Sequence, residues 1–243
     1  TAPWYPILFL PKKNSLSYAH HQKIEKNNKA FSLFFLPEKN FNNQEVENLL
    51  KNNQLIHYIT LENKTSSDFL NSLKSRTRSY IKSGLKKFKF IKISYYDQFL
   101  KYEKSLHRIL IEQHIKFLSP MPPLKLLKNL LINNLIYIHL AFENDLLVGF
   151  STITKDKFLP HIFWILKSDR CKSNSLSLCL YYVCIEESII RKAKLISLGT
   201  SISENVANFK EKLRAERGIL FKYKLNSISS YQKLFFIKTG RNY

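Results

Sequence analysis

Glycine, cysteine, acidic residues and long apolar runs are all scarce in this chain of 243 residues. With only five glycines, Gly-rich phosphate-binding loops cannot carry much of the chemistry. The longest apolar runs, such as residues 130–132, are far too short to span a bilayer, so no transmembrane segment is expected. The N-terminus lacks the charged start and apolar block of a secretory signal. These absences favour a globular protein of the cytoplasm.

Cysteine is limited to Cys171, Cys179 and Cys184. An odd number without a C-x-x-C pair argues against a disulfide framework and against a zinc site, so no metal is expected. Cys179 and Cys184 fall in an apolar stretch with helical spacing and are interpreted as thiols of the core. Free thiols indicate a cytoplasmic location. A membrane-bound partner would place the protein at the inner face of the membrane.

Acidic residues number 18 against 39 lysines and arginines, which gives a net charge of +21. A composition rich in Lys, Asn and Ile often reflects an AT-rich genome, but that bias would raise Glu nearly as much as Lys. The excess of positive charge therefore favours polyanionic partners, namely nucleic acid, anionic lipid headgroups or substrates that carry a diphosphate.

The periodicity of the apolar residues predicts an α/β (α+β) fold. Strands are predicted at residues 7–10, 31–36, 55–61, 88–93, 136–142, 146–154, 159–166, 195–199 and 219–225. Helices are predicted at residues 43–52, 66–84, 97–117, 124–131, 176–192 and 205–216. Short polar connections make the three central strands sequential neighbours, which predicts a mixed, largely antiparallel sheet flanked by helices.

Local signals mark the ends of several elements. Thr65 or Ser66 can cap the helix that follows, and Asp68 suits the positive end of its dipole. Gly84 is expected to end that helix. Three prolines in residues 119–123 predict a rigid extended loop.

A stripe of positive charge follows the same helix. Lys74, Arg78, Lys82 and Lys86 recur at every fourth position and are here called the basic stripe. Eight cations and no acid lie between residues 74 and 92, although like charges at this spacing destabilise an isolated helix. We expect Lys74, Arg76, Arg78 and Lys82 to bind an anion or the acceptor substrate. The alternative is a solvated face without a ligand.

Three segments carry a recognisable order of motifs. Residues 73–85 form a basic helix that reaches a glycine, and residues 137–150 form strand, turn and strand. Residues 195–218 hold a strand that ends in glycine, a Phe-Lys pair and a further glycine, here Leu198-Gly199-Thr200, Phe209-Lys210 and Gly218. From about residue 61 to 225 the sequence thus resembles the Fem-like branch of the GNAT superfamily, related to the aminoacyltransferases of peptidoglycan bridges.

The resemblance implies an acyltransferase with a GNAT-like fold. Its donor would be acyl-CoA or aminoacyl-tRNA, and its acceptor an amine or hydroxyl of a cell-envelope precursor or sugar. Residues 1–61 would form a reduced N-terminal GNAT-like half, and residues 62–243 the acyltransferase domain. The implied partners are an anionic small-molecule or lipid-linked acceptor, tRNA and a peripheral membrane surface. Residues 1–61 are too short for a complete half, and no helical-hairpin arm for tRNA is present.

The resemblance also implies a donor-binding loop before the long helix. GNAT enzymes place the pattern R/Q-x-x-G-x-G/A here, with backbone N–H groups that hold the pyrophosphate of coenzyme A. This chain keeps Arg170 and has Ser173 and Ser175 in place of the glycines, so the expected binding residues are Arg170, Lys172, Ser173, Asn174 and Ser175. The alternative is a plain polar loop in which Ser175 caps the helix.

Three side chains are candidates for catalysis. The resemblance assigns Lys210 to the transfer centre, where a cation can stabilise an oxyanion or hold a phosphate. His161 lies in a predicted strand and can accept a proton from an amine if it faces the cleft; a histidine of the core or of a sheet edge is the alternative. Tyr181 occupies the helix position of a GNAT general acid, and core packing is the alternative.

Two other functions compete with acyl transfer. The charge alone fits a nucleic-acid-binding module, although no known reading motif is present. The serines in place of glycines fit a catalytically inactive GNAT-fold scaffold. No serine or cysteine lies in a nucleophile elbow, so direct attack on the donor in a ternary complex is expected.

Overall fold

The computed structural model describes residues 7–9, 33–37, 44, 54–117, 124–157, 159–201 and 203–222. The helices are α1 (Ser66–Ser72), α2 (Ser75–Lys87), α3 (Tyr96–Leu100), α4 (Glu103–Phe117), α5 (Leu124–Ile132), α6 (Ser175–Ile190) and α7 (Glu204–Glu211). The strands are β1 (Ile7–Phe9), β2 (Leu33–Pro37), β3 (Gln54–Thr60), β4 (Lys89–Ile93), β5 (Ile136–Glu143), β6 (Leu146–Thr154), β7 (Ile162–Lys167), β8 (Leu195–Thr200) and β9 (Glu216–Lys222). The predicted α/β class is confirmed. The predicted helix 43–52 and the loop 119–123 lie outside the described residues, apart from the helical Gln44.

The chain forms two compact units that interleave in sequence. One comprises Thr1–His57, Thr200–Val206 and Glu216–Tyr243, and the other Tyr58–Gly199 and Ala207–Ala215. In the first unit, β1 and β2 are parallel neighbours, and β2 and β9 are antiparallel neighbours. All of the predicted site residues lie in the second unit. The domain boundary at residues 61 and 62 stays a prediction.

The second unit contains a four-stranded sheet in the order β4-β5-β6-β7, antiparallel throughout. Asn144 and Asp145 both adopt positive φ, 49° and 60°, and form the tight turn between β5 and β6. The prediction of three sequential antiparallel neighbours is therefore confirmed. Thr152 pairs with Trp164 and Ile153 pairs with Ile162, so Phe163 is the inserted residue of a β-bulge in β7.

The predicted single helix 66–84 is wrong in two respects. Thr65 does cap α1, in a capping box with Asp68, but the helix ends at Ser72, and the C-cap residue Leu73 is extended with ψ 152°. A second helix, α2, begins after Lys74, where the chain turns without a side-chain cap. Gly84 does not end α2, which continues to Lys87.

Gly84 instead lets α2 approach α6 closely. A Cβ at this position would lie 2.3 Å from Cys179 Sγ and 3.1 Å from Ser175 Oγ. Gly84 is buried, and the Cys179 thiol donates to Ile81 O at 3.6 Å across the same contact. The prediction that Gly84 ends the helix is wrong, because the residue serves the contact between two helices instead.

The predicted helix 97–117 is also divided. The first part, α3, ends at Leu100, and α4 begins at Glu103. Gln98 accepts from the backbone N–H groups of Ser94 and Tyr95 and so fixes the start of α3. The predicted strand 159–166 is shortened at its start, since β7 begins at Ile162.

The core of the second unit is built around α6. This helix is apolar on all sides, and most of its residues are buried, which is typical of a helix enclosed by other elements. Its side chains Tyr181, Tyr182 and Ile185 pack with residues of α1, α2, β7 and β8. The prediction that Cys179 and Cys184 are core thiols is confirmed, because both are fully buried, and Cys171 is buried as well. No helix within the described ranges has the length and apolar character needed to cross a membrane.

Candidate functional site

The candidate site lies where β7 approaches β8. His161 forms a parallel bridge to Ser197, and the Ser197 N–H donates to Pro160 O at 2.9 Å. Beyond this bridge the two strands belong to different sheets, β7 continuing beside β6 toward Lys167. The bridge therefore joins the strands at one point and leaves their following segments separate.

Lys210 reaches the same place from α7. Its side chain is only 2% exposed, and Nζ donates to Gly199 O at 2.9 Å. Gly199 adopts φ +78°, which other residues rarely do, and a Cβ there would lie 3.1 Å from Ile162 O. That Cβ would also lie 3.9 Å from His161 Cε1 and 4.0 Å from Lys210 Nζ. The imidazole and the ammonium thus flank one glycine, and the structure brings these two predicted residues together.

Burial sets the charge of both groups. It lowers the pKa of Lys210 to about 8, so the ammonium form still predominates at neutral pH. Burial, and secondarily the charge of Lys210, lower the pKa of His161 to about 3. At neutral pH the site therefore presents a cation beside a neutral imidazole.

Tyr181 lies inside the core. It is 9% exposed, and its ring centroid is 5.8 Å from that of Phe209, the residue before Lys210. Burial raises the pKa of Tyr181, so the phenol stays protonated. Core packing is thus observed for this residue, and its role as an acid stays a prediction.

The loop after β7 is fixed by α4. Glu112 accepts from the Ser168 hydroxyl at 2.6 Å and from the Asp169 N–H at 3.1 Å. Gln113 donates to Lys167 O at 2.6 Å. These hydrogen bonds hold the first residues of the loop that precedes α6 against α4. The loop itself contains no glycine.

The two serines of this loop bind each other. Ser173 Oγ lies 2.8 Å from Ser175 Oγ and accepts from the Ser175 N–H at 3.3 Å. Asn174, not Ser175, is the N-cap of α6, so the predicted cap is wrong by one residue. Arg170, Lys172 and Asn174 are exposed. The Ser175 N–H at the start of α6 is already bonded to the Ser173 hydroxyl. The charged side chains of Arg170 and Lys172 are therefore the groups available to a ligand.

A surface cleft of about 650 Å³ lies beside the loop. Its lining residues are Glu112, Ile115, Lys116, Lys167, Asp169, Cys171 and Lys172. The loop follows the C-terminal end of β7, whereas His161 precedes its N-terminal end, roughly 20 Å away at the rise of an extended strand. A cleft shared by this loop and Lys210 stays a prediction.

The basic stripe is only partly free of other contacts. Arg78 donates to Asn71 O at 3.1 Å, and Arg76 lies over the Tyr80 ring at 5.6 Å. Lys74, Lys82 and Lys86 are exposed and have no ion-pair partner among the residues that the structure describes. Within the wider run of eight cations, Lys87 and Lys92 pair with Glu143 and Glu187. The exposed lysines on α2 keep their charge available to a partner.

Ser197 is the residue of the site that the sequence analysis missed. It is fully buried, and its hydroxyl lies 2.8 Å from His161 Nδ1. A polar residue inside the apolar strand 195–199 was the available signal. The described residues contain no group of three or more His, Cys, Asp or Glu side chains arranged to hold a metal ion.

Known proteins resemble this chain in structure but not in sequence. No protein-family model and no curated protein matches the sequence. Among solved structures, FemX aligns with 98% of this chain and 84% of its own, with a TM-score of 0.59 and 8% identity. L-PGS from Bacillus licheniformis aligns over 93% and 76%, with a TM-score of 0.51 and 12% identity.

A third structure has a similar fold. It is the C-terminal domain of a candidate lysylphosphatidylglycerol synthetase from Agrobacterium fabrum, aligned over 86% of this chain and 71% of that domain, with a TM-score of 0.50 and 10% identity. At such identities the likeness establishes the fold and leaves the chemistry open. The chain shares the mixed α/β fold of FemX and L-PGS, as expected from the sequence resemblance.

Proposed function

We propose that this chain is an acyltransferase that moves an acyl or aminoacyl group from an activated donor to an amine or hydroxyl. The observation that carries the proposal is the buried ammonium of Lys210 beside His161 at the β7–β8 bridge. A buried cation next to a neutral imidazole suits a reaction in which negative charge develops on a carbonyl oxygen. The fold shared with FemX and L-PGS supports the same reaction class.

The proposed reaction is a direct transfer. The nitrogen or oxygen of the acceptor bonds to the acyl carbon, and the C–S or C–O bond to the donor breaks. The acceptor loses a proton, and the leaving thiolate or alkoxide gains one. Lys210 holds the charge of the tetrahedral intermediate, and the protonated phenol of Tyr181 is a candidate proton donor.

The donor is proposed to bind at the loop before α6. Arg170, Lys172 and the N-terminus of α6 would hold its phosphate groups, with Ser173, Asn174 and Ser175 around them. The interval of roughly 20 Å along β7 suits a long flexible donor such as a coenzyme A thioester. Aminoacyl-tRNA is the other donor that the proposal includes.

The acceptor is proposed to be anionic. The exposed lysines of the basic stripe lie on a helix that packs against α6 through Gly84, so a bound anion would lie on the same unit as the site. A cell-envelope precursor, a sugar nucleotide or a lipid-linked glycan carries such charge. For a lipid-linked acceptor the protein would work in the cytoplasm at the inner face of the membrane.

A panel of donors tests the proposal. Purified protein is mixed with acyl-CoA or aminoacyl-tRNA and with amine acceptors, and product, free thiol and deacylated tRNA are measured. We expect transfer from one donor, with a rise in melting temperature when that donor binds. The absence of transfer and of a melting shift with every donor would exclude the enzyme and leave an inactive scaffold.

A nucleic-acid-binding module is the second candidate, favoured by Lys74, Lys82 and Lys86 on the exposed face of α2. It predicts salt-dependent binding of uncharged tRNA or other RNA without any transfer of an acyl group. The donor panel separates the two functions, because only the enzyme consumes the donor.

A further inference from the structure

The Ser197 hydroxyl joins two groups of the site. Its oxygen lies 2.8 Å from His161 Nδ1 and accepts from the Gly199 N–H at 3.3 Å. Ser197 has no exposed surface, so water cannot complete its hydrogen bonds. The position of its one proton therefore depends on these two neighbours.

The two tautomers of His161 differ in whether this proton is satisfied. If the Ser197 hydroxyl donates to Nδ1, its oxygen still accepts from Gly199 and every bond is made. If Nδ1–H donates instead, the hydroxyl proton has no acceptor among the described residues. A buried donor without an acceptor is unfavourable, because it has lost its hydrogen bond to water. The hydrogen bonds thus favour the tautomer that carries its proton on Nε2.

The other nitrogen of the ring, Nε2, is not the one that contacts Ser197. His161 is only partly buried, and within the described part of the chain no group is hydrogen-bonded to Nε2. The ring lies edge-on to Phe163, the bulged residue of β7, with centroids 4.7 Å apart. Lys210 Nζ and His161 Cε1 lie 4.0 Å and 3.9 Å from the position that a Cβ on Gly199 would take.

We propose that Ser197 holds His161 in the Nε2–H tautomer, so that His161 donates a hydrogen bond to the developing oxyanion beside Lys210. This inference rests on the proposed acyl transfer, and it replaces the expectation that His161 accepts a proton. Ser197 is a positioning residue that acts through the ring. Lys210, the charged group that acts on His161, disfavours a second proton on the imidazole and keeps it neutral.

The tautomer itself can be read by NMR without any assay of activity. Two-bond ¹H–¹⁵N correlations of the ¹⁵N-labelled protein distinguish Nε2–H from Nδ1–H, and comparison with His161→Gln assigns the signal among the seven histidines. We expect the Nε2–H pattern at neutral pH, and its loss or mixing in Ser197→Ala. An Nδ1–H pattern in the wild type overturns the proposal, even if acyl transfer is observed.

Two substitutions at His161 test the role of the donor. Gln places an amide N–H close to the position of Nε2 but cannot act as a base, whereas Ala provides neither group. We expect His161→Ala to lower kcat by roughly 10²–10³-fold, as for loss of an oxyanion donor, and His161→Gln to stay within about tenfold of the wild type. His107→Gln, on an exposed histidine of α4, is the matched control.

Equal loss of kcat in the Gln and Ala variants, with both folded, overturns the donor role. If no donor in the panel is consumed, acyl transfer fails as the function and the oxyanion role falls with it. The NMR result then still decides whether Ser197 fixes the ring. The two failures are therefore distinguishable.

Discussion

Lys210 is a buried cation, and its burial carries an electrostatic cost. Its side chain is 2% exposed, and its Nζ donates to the carbonyl of Gly199 at 2.9 Å. Removal of a cation from water disfavours its charged form, and burial lowers the pKa of Lys210. Such a residue is expected where function, rather than stability, requires the charge.

This cost predicts how stability depends on pH. The pKa of Lys210 is lowered to about 8 in the folded protein from 10.5, so the unfolded chain binds more protons between these values. The contribution of Lys210 to the free energy of unfolding should therefore rise by about 3 kcal/mol as the pH increases from 8 to 10.5. Below pH 8 the cost is present in full.

Denaturant titrations of the wild type and Lys210→Met across this pH range measure the effect. The difference between their free energies of unfolding should grow in favour of the wild type as the pH rises. Lys212→Met, at an exposed lysine two residues away, should give a constant difference. A constant difference for Lys210→Met as well would mean that the Lys210 pKa is not lowered.

Among the elements, the contact of α2 with α6 depends most on a single residue. Gly84 faces Cys179 so closely that a methyl group would overlap the sulfur. We expect Gly84→Ala to destabilise the protein by about 1–3 kcal/mol, although alanine favours a helix. Ser83→Ala, on the exposed face of the same helix, should be neutral or slightly stabilising.

A double-mutant cycle assigns the cause. Removing the sulfur in Gly84→Ala/Cys179→Ala should relieve the overlap and give a favourable coupling of at least about 1 kcal/mol in urea unfolding. Strictly additive effects would show that Gly84 is required for another reason.

The sequence was informative where the evidence is local. Alternation of apolar residues and the polar turn at Asn144 and Asp145 were enough to predict β5, β6 and their antiparallel pairing. The break at Leu73 was missed because helical spacing continues across it. The role of Gly84 was missed because it depends on a residue 95 positions away, Cys179, and spacing alone gives no such pairing.

In the candidate site, too, local sequence signals were informative and long-range contacts were not. The family resemblance assigned Lys210 to the transfer centre, and the structure places it near His161, while its role in transfer stays a prediction. The bond between His161 and Ser197 joins residues 36 positions apart and could not be read from either segment. That hydrogen bond decides which ring nitrogen of His161 carries the proton, so the sequence alone could not assign the chemical role of His161.

The charge of the whole molecule, +21, predicts binding of a polyanion. We expect the polyanion to bind at three exposed lysines of the basic stripe, Lys74, Lys82 and Lys86. Arg78 is not substituted, because its side chain donates to Asn71 O. Replacing the three lysines with Gln should weaken binding of tRNA and reduce the slope of log K against log salt by about 2–3. Electrophoretic or fluorescence titrations at several salt concentrations measure both quantities.

A second triple variant controls for net charge. Lys101, Lys104 and Lys125 are exposed on other parts of the same unit, and replacing them with Gln removes equal charge. If both triple variants lower the affinity and the salt slope equally, the effect belongs to the total charge and not to α2.

The central claim is that acyl transfer takes place at the β7–β8 bridge with Lys210 as the cation, and single-turnover kinetics of Lys210→Met test it most directly. With the donor that the panel identifies, we expect the rate of transfer to fall by roughly 10²–10³-fold while the donor Kd stays within about twofold of the wild type. Lys212→Met should match the wild type in both. A folded Lys210→Met protein that transfers at the full rate would contradict the account.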